Sequence, residues 1–300
     1  MKKALFICFT LIGVALLSCK KDHTKTNPTG KLYPVSFNLS GFTQTINAAN
    51  QNNKTKVNTV DPSASNVVKL IYKLYDSNNT LQKTLVFKKG APSFGTITDN
   101  LAAGTYSAVF LGLTDSTNYV DNITQFYYRN VNGFSETFYN KTNFTVGAAP
   151  VQQGVVLKRL NSEILVVIKD AIPSGVANIT ATVTGAHNTC AYLTAQSSLT
   201  LSYPIGGTAS VVITSANVGT TNLPLGPITN LFNNTSTVTV TIVARAPNGT
   251  NIAQKTISNV ALQPSIRTIL TGNVFSNDGS TGGFAVTFDP NFSGNINQGF

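Results

Sequence analysis

The chain has 300 residues, of which 42% are apolar and only 11% charged, and it carries a formal charge of +10. It is long enough for two domains with cores of their own; with so few charges, Thr, Ser, Asn and Gly supply its polar surface. A nucleic-acid partner is excluded: the basic residues are scattered, and no basic helix, zinc-finger spacing or aromatic RNA-binding signature accompanies them.

The first elements form a leader. Lys2 and Lys3 precede an uncharged apolar run, Ala4 to Ser18, which is shorter than the about 20 residues of a transmembrane helix and has the layout of a secretory signal. The run ends Leu16-Leu17-Ser18-Cys19, which resembles the lipobox of bacterial lipoproteins. That resemblance implies cleavage between Ser18 and Cys19, with the Cys19 thiol carrying the diacylglycerol and its new amino group an acyl chain such as palmitate. Each buried methylene contributes about 0.8 kcal/mol, and more than one chain gives stable anchoring without a span. The Lys-Lys-Asp stretch that follows resembles the charged address of surface-exposed lipoproteins in Bacteroidota. The expected location is the cell outer membrane, lipid-anchored and surface-exposed.

Residues 1–18 are therefore read as signal peptide and 19–30 as a polar tether. Strand signals begin at "LYPVSFNLSGF", where Val35, Phe37 and Leu39 alternate with polar neighbours at the period of a half-buried strand. A hairpin follows, with Val68, Leu70, Tyr72 and Leu74 alternating, a turn at Asp76-Ser77-Asn78-Asn79, and a return through "TLQKTLVF". "LAAGTYSAVFLGL", "ITQFYYRNV" and "TNFTVGA" are further short strands. The small, Pro-containing "GAAPVQQG" reads as a boundary between an N-terminal sandwich, 31–147, and a C-terminal one, 153–300. The second half opens with "VVLKRLNSEILVVIKD" and continues through "NITATVTG", "ASVVITS" and "STVTVTIVARA"; "PNG" at 247–249 marks a hairpin turn. No segment keeps a helical period, so the fold class is all-β, two tandem immunoglobulin-like β-sandwiches.

The order of "LIYKLYDSNNTL", "LAAGTYSAVFLG", "GVVLKRLNSEILVVIKD" and the closing "LTGNVF" and "FAVTFDPNFSG" resembles the fimbrillin and fimbrial-anchor lipoproteins of Bacteroidota. The resemblance implies two transthyretin-like sandwiches and a role in a surface fimbrium and in cell adhesion. It also implies assembly by β-strand exchange, in which proteolysis frees a groove that a strand from a fimbrial subunit or a second copy fills. The first arginine is Arg129, deep in the first domain, so the basic candidates for processing are Lys31, Lys54 and Lys56. The lack of an earlier arginine favours an anchor or base subunit over a shaft subunit.

No catalytic constellation is legible, no cofactor or metal is implied, and the chain is read as a non-enzyme. Of the 3 cysteines, Cys8 leaves with the leader and Cys19 is lipidated, so Cys190 stands alone as a small buried hydrophobe. His187 is read as a strand-end turn residue; with Cys190 it supplies too few ligands for zinc. "DSNNTLQKTLVF" has the rhythm of a calcium loop but Leu81 and Phe87 at the key positions, and is read as a turn. Tyr119, Phe126, Tyr127, Tyr128, Phe134, Phe138, Tyr139 and Phe144 crowd one segment. They are read as core and rim of a sandwich, the alternative being a stacking platform on a monomeric glycan-binding lipoprotein of a polysaccharide-utilisation system. Replacing Cys19 with Ser is expected to abolish palmitate labelling and to leave the leader uncleaved, as read by metabolic labelling and by the mass of the product.

Overall fold

A computed structural model describes residues 31–43, 66–115, 119–128, 136–198, 206–232, 236–276 and 283–289. The stretches read as signal peptide (1–18) and tether (19–30), with Ser18 and Cys19, and Lys54, Lys56 and Phe134 lie outside these residues. Every regular element among the described residues is a β-strand, and no helix there is long and apolar enough to cross a membrane.

The first half supplies β1 (Leu32–Thr43), β2 (Lys69–Asp76), β3 (Leu81–Lys88), β4 (Thr96–Ala102), β5 (Gly104–Leu113), β6 (Tyr119–Asp121), β7 (Gln125–Tyr128), β8 (Thr137–Val146) and β9 (Val151–Arg159). The second supplies β10 (Ser162–Ile168), β11 (Asn178–Thr184), β12 (Thr189–Ala191), β13 (Ser197–Ser198) and β14 (Thr208–Val212). It continues with β15 (Leu223–Leu231), β16 (Thr237–Arg245), β17 (Asn251–Ala261), β18 (Arg267–Gly272) and β19 (Ala285–Asp289).

Seven strands form one sheet in the order β3-β2-β5-β8-β9-β1-β4. This sheet wraps around its own core: the Lys83 ammonium on one edge strand pairs with the Asp99 carboxylate on the other. Inside lie the alternating residues read from the sequence, Val35, Phe37 and Leu39 of β1 and Leu70, Tyr72 and Leu74 of β2, with Phe110 and Phe144 opposite. Val68 departs from the expected alternation; it precedes β2 and is exposed. Asp76 closes the β2–β3 turn as read, its carboxylate accepting the Asn78 and Thr80 amides at 2.9 Å while Asn79 takes a left-handed φ of 60°.

The boundary read at "GAAPVQQG" falls inside this sheet. Val151–Arg159 runs parallel to β1 and closes antiparallel on β8, so it is the first sandwich's strand and not the opening of the second. A small Pro-containing stretch serves equally well as a corner between two strands of one sheet. The chain instead crosses at Leu160–Asn161, where the Leu160 amide bonds Thr137 O and the Asn161 side-chain oxygen accepts the Thr137 amide.

The second sandwich stacks the sheet β15-β10-β18-β19 on the sheet β14-β11-β16-β17. Its core takes Ile164, Val166 and Ile168 from one layer and Val238, Val240 and Ile242 from the other. The "PNG" turn is longer than the two-residue hairpin its Asn-Gly suggests: the Ala246 amide bonds Thr250 O at 2.9 Å, in the turn only Gly249 is left-handed (φ 84°), and the register shifts at Ala244/Arg245, just before the turn. A small third sheet, β13-β12-β7-β6, joins the halves.

The strand registers fix polarity. Leu32 at the start of β1 pairs with Ala102, beside the Gly104 end of β5, whereas β9 delivers the chain to β10 next to the Leu113 end. The N-terminal approach and the second sandwich thus sit at opposite ends of β5, roughly 30 Å apart at about 3.3 Å per residue. Phe37 is fully buried and meets the rings of Phe110 and Phe144 at 5.0 and 5.2 Å. Phe37→Ala is expected to cost about 3–5 kcal/mol, read as a lowered urea midpoint with unchanged slope.

Candidate functional site

The residues that touch both halves form the most elaborated polar site of the described chain. It begins with β2 and β5, which are buried on both faces. Leu70, Tyr72 and Leu74 point into the first core, while Ile71 and Tyr75 point the other way and join Val109, Leu111 and Leu113 in a second core. That core continues through Phe126 and Tyr128 of β7 into the second sandwich.

Lys73 lies on this outer face between Ile71 and Tyr75, and only 3% of its side chain is exposed. Three groups receive its ammonium: the Asp121 carboxylate at 2.9 Å, the Asn122 carbonyl at 3.0 Å, and the ring of Tyr192 with its centroid at 4.7 Å. Tyr192 belongs to the second half, and its hydroxyl donates to the same Asp121 oxygen at 2.6 Å. One carboxylate therefore ties a strand of the first sandwich to a residue of the second. The Tyr75 hydroxyl donates to Ile123 O at 2.8 Å and the Tyr139 hydroxyl to Tyr192 O. Burial, then Asp121, pushes the hydroxyl pKa values of Tyr192 and Tyr75 far above the ordinary phenol value, so both remain donors.

The backbone completes the seam. β7 pairs antiparallel with β12, Gln125 opposite Ala191 and Tyr127 opposite Thr189. The Tyr192 amide bonds Thr124 O at 2.8 Å and the Tyr128 amide bonds Asn188 O at 3.0 Å. At the chain crossing Arg159 pairs with Glu136 and lies 5.5 Å from the Phe138 ring centroid. Beyond it Glu163, Arg267 and Asp289 link three neighbouring strands. Burial raises the Glu163 carboxyl pKa, and the Arg267 guanidinium works against that rise.

Cys190 is buried in β12, and desolvation pushes its thiol up to about 12, so it is protonated at neutral pH and packs as a hydrophobe. The His187 amide bonds Phe232 O in an isolated bridge, between the turn after β11 and the residue that follows β15. Among the described residues no three His, Cys, Asp or Glu side chains gather as metal ligands. The aromatic segment is divided between the cores: Phe126, Tyr128, Phe138 and Phe144 are buried, and Tyr119, Tyr127 and Tyr139 half-buried. A platform of exposed rings is not what these residues form. Of the candidate processing residues, Lys31 is exposed immediately before β1.

Sequence reading missed Lys73, Asp121 and Tyr192. The available signal was "LIYKLY", where apolar residues occupy both faces of one strand, so that the lysine had to find a partner in a buried place.

No protein-family model matches the chain, and no curated protein matches it in sequence. Solved structures do share its fold. The fimbrial anchor protein Mfa2 of Porphyromonas gingivalis superposes with a TM-score of 0.53 at 13% identity, over 80% of this chain and 90% of that one. A candidate adhesin of Bacteroides thetaiotaomicron gives 0.55 at 11% identity, over 87% and 97%. A candidate polysaccharide-binding protein of the same species gives 0.52 at 10% identity, over 80% and 92%.

Removing one member of a buried ion pair typically costs about 3–5 kcal/mol, whereas replacing both is close to neutral. Asp121→Ala, which strands the Lys73 ammonium, is expected to destabilise more than Lys73→Met, which leaves Asp121 its Tyr192 bond and partial solvent. The double variant Lys73→Met/Asp121→Leu should recover most of the loss, as a double-mutant cycle in urea would measure.

Proposed function

We propose that the chain is a lipid-anchored cell-surface protein that serves as the anchor or base subunit of a fimbrium and contributes to adhesion. The observation that carries this reading is the position of β1. It is the first strand of the described chain, yet it lies inside the seven-stranded sheet, parallel to β9 and antiparallel to β4. Its Val35, Phe37 and Leu39 are core residues. In a shaft subunit, loss of β1 would leave an apolar groove with a hydrogen-bonding strand edge on either side, the arrangement that β-augmentation by a partner strand requires; in an anchor β1 stays and fills that groove.

The processing candidates are then unequal. A cut after Lys31 leaves β1 whole. A cut at Lys54 or Lys56, which lie in sequence between β1 and β2, would separate β1 from the rest. An intact chain would keep β1, whose Leu32 end lies at the end of the first sandwich opposite the second. That polarity suits a base subunit that holds its second sandwich outward. The fold shared with a protein named as a fimbrial anchor and with candidate adhesins supports the reading.

The test is an immunoblot of outer-membrane extract from the native host, with and without boiling in detergent. A single lipidated band at the full processed mass, with fimbrial subunits co-purifying, is the expected result. A ladder that collapses on boiling would instead identify a polymerising shaft subunit.

A further inference from the structure

The outer face of the sheet β14-β11-β16-β17 is rich in hydroxyl groups, interrupted by Val243 and Gln254 beside Thr180 and by the exposed Val212 at one corner. Core-facing residues of its two central strands are apolar, Ala181 and Val183 on β11 and Val240 and Ile242 on β16. Strand alternation therefore directs the intervening threonines to solvent, where they are exposed or half-buried. Their registers align across all four strands. Thr208 pairs with Thr182, Thr182 with Thr241, and Thr241 with Thr256, so one row runs the full width of the sheet. Thr184 opposite Thr239 adds to the next row on one side. On the other side Ser210 lies opposite Thr180, the two hydroxyls 3.1 Å apart. Sheet geometry spaces such groups at about 4.8 Å across strands and about 6.7 Å along them.

The face is also neutral. Within it only Arg245 is charged, at its far end opposite Asn178. Lys255 of β17 pairs with core-facing Ile242 and so belongs to the other side. Lysines stand on other faces, among them Lys88 at the end of β3 and Lys89 just after it. An anionic polymer would be drawn to those lysines. A charged partner laid on the threonine face would lose hydration without an opposing charge.

We propose that this face binds an uncharged polysaccharide lying flat across the strands. Each threonine offers a hydroxyl that both donates and accepts, as sugar hydroxyls do, and a methyl that packs on sugar C–H groups. The face belongs to the sandwich farther from the N-terminal approach. The proposal deepens the adhesion reading by naming a ligand class, but needs no strand exchange; its failure would leave the immunoblot result untouched.

The test uses the full mature chain in detergent, sedimented with microcrystalline cellulose and with chitin, and passed over heparin-agarose as the charged control. The native chain should sediment with at least one neutral solid, and high salt should not release it. Thr182→Lys/Thr241→Lys should bind at least tenfold less, while Thr84→Lys, on the exposed side of β3, should bind like the native chain. If the double variant loses its cooperative melt, Thr256→Lys at the margin of the sheet serves in its place, with the same expectation. Failure to sediment, equal binding by the lysine variants, or release by salt would each overturn the proposal. So would a native dimer, seen by light scattering, that these substitutions dissociate, because the face would then belong to a second copy.

Discussion

The strand pair of β2 and the Ala108–Leu113 part of β5 is buried on both faces, and the described molecule is arranged around that constraint. A half-buried sheet needs one apolar face; here the second face must be covered as well. The short hairpin of β6 and β7 covers it, and β12 of the other half pairs with β7 there. Lys73 is the cost of this arrangement and part of its specificity: a cation in the seam with a carboxylate, a carbonyl and an aromatic ring set around it. Asp121 faces both halves, so one carboxylate helps to fix how they dock.

For the proposed anchor role, the consequence is mechanical continuity. The second core extends from Ile71 and Leu111 in the first sandwich to Leu270 in the second without a linker between them. A protein tethered at one end and engaged at the other transmits load through such a seam. The strand whose removal strand exchange would need, β1, is on the far side of the first core from it: Phe37 packs against Tyr72 and Phe110, not against the seam. The site proposed for exchange and the joint between sandwiches are thus carried by opposite faces of the same strands.

Much of the fold was legible wherever one face of a strand is wet. The alternation of Val238, Val240 and Ile242 with threonines on β16, and of Val35, Phe37 and Leu39 on β1, gave strand and face together. The Asp76 turn was legible because its chemistry is local. The domain boundary was not, because a Pro-containing corner within a sheet and a linker between domains share a composition; only the pairing of β9 with β1 distinguishes them. The seam was hidden for a related reason. Tyr127 and Thr189 pair across a long stretch of chain, and nothing in a four-residue strand specifies so distant a partner. Of the hydroxyl-rich face, the sequence displays the threonine repeats of β11 and β16 but not the register that aligns them.

Amide hydrogen exchange on the native chain tests the shared seam most directly. The amides of Tyr128 and Tyr192, bonded across the halves to Asn188 O and Thr124 O, should exchange only through global unfolding, at the same free energy as core amides such as Val109 and Val240. Exchange of Tyr128 and Tyr192 at loop rates, with both sandwiches still protected, would show two independently folded domains and contradict the account.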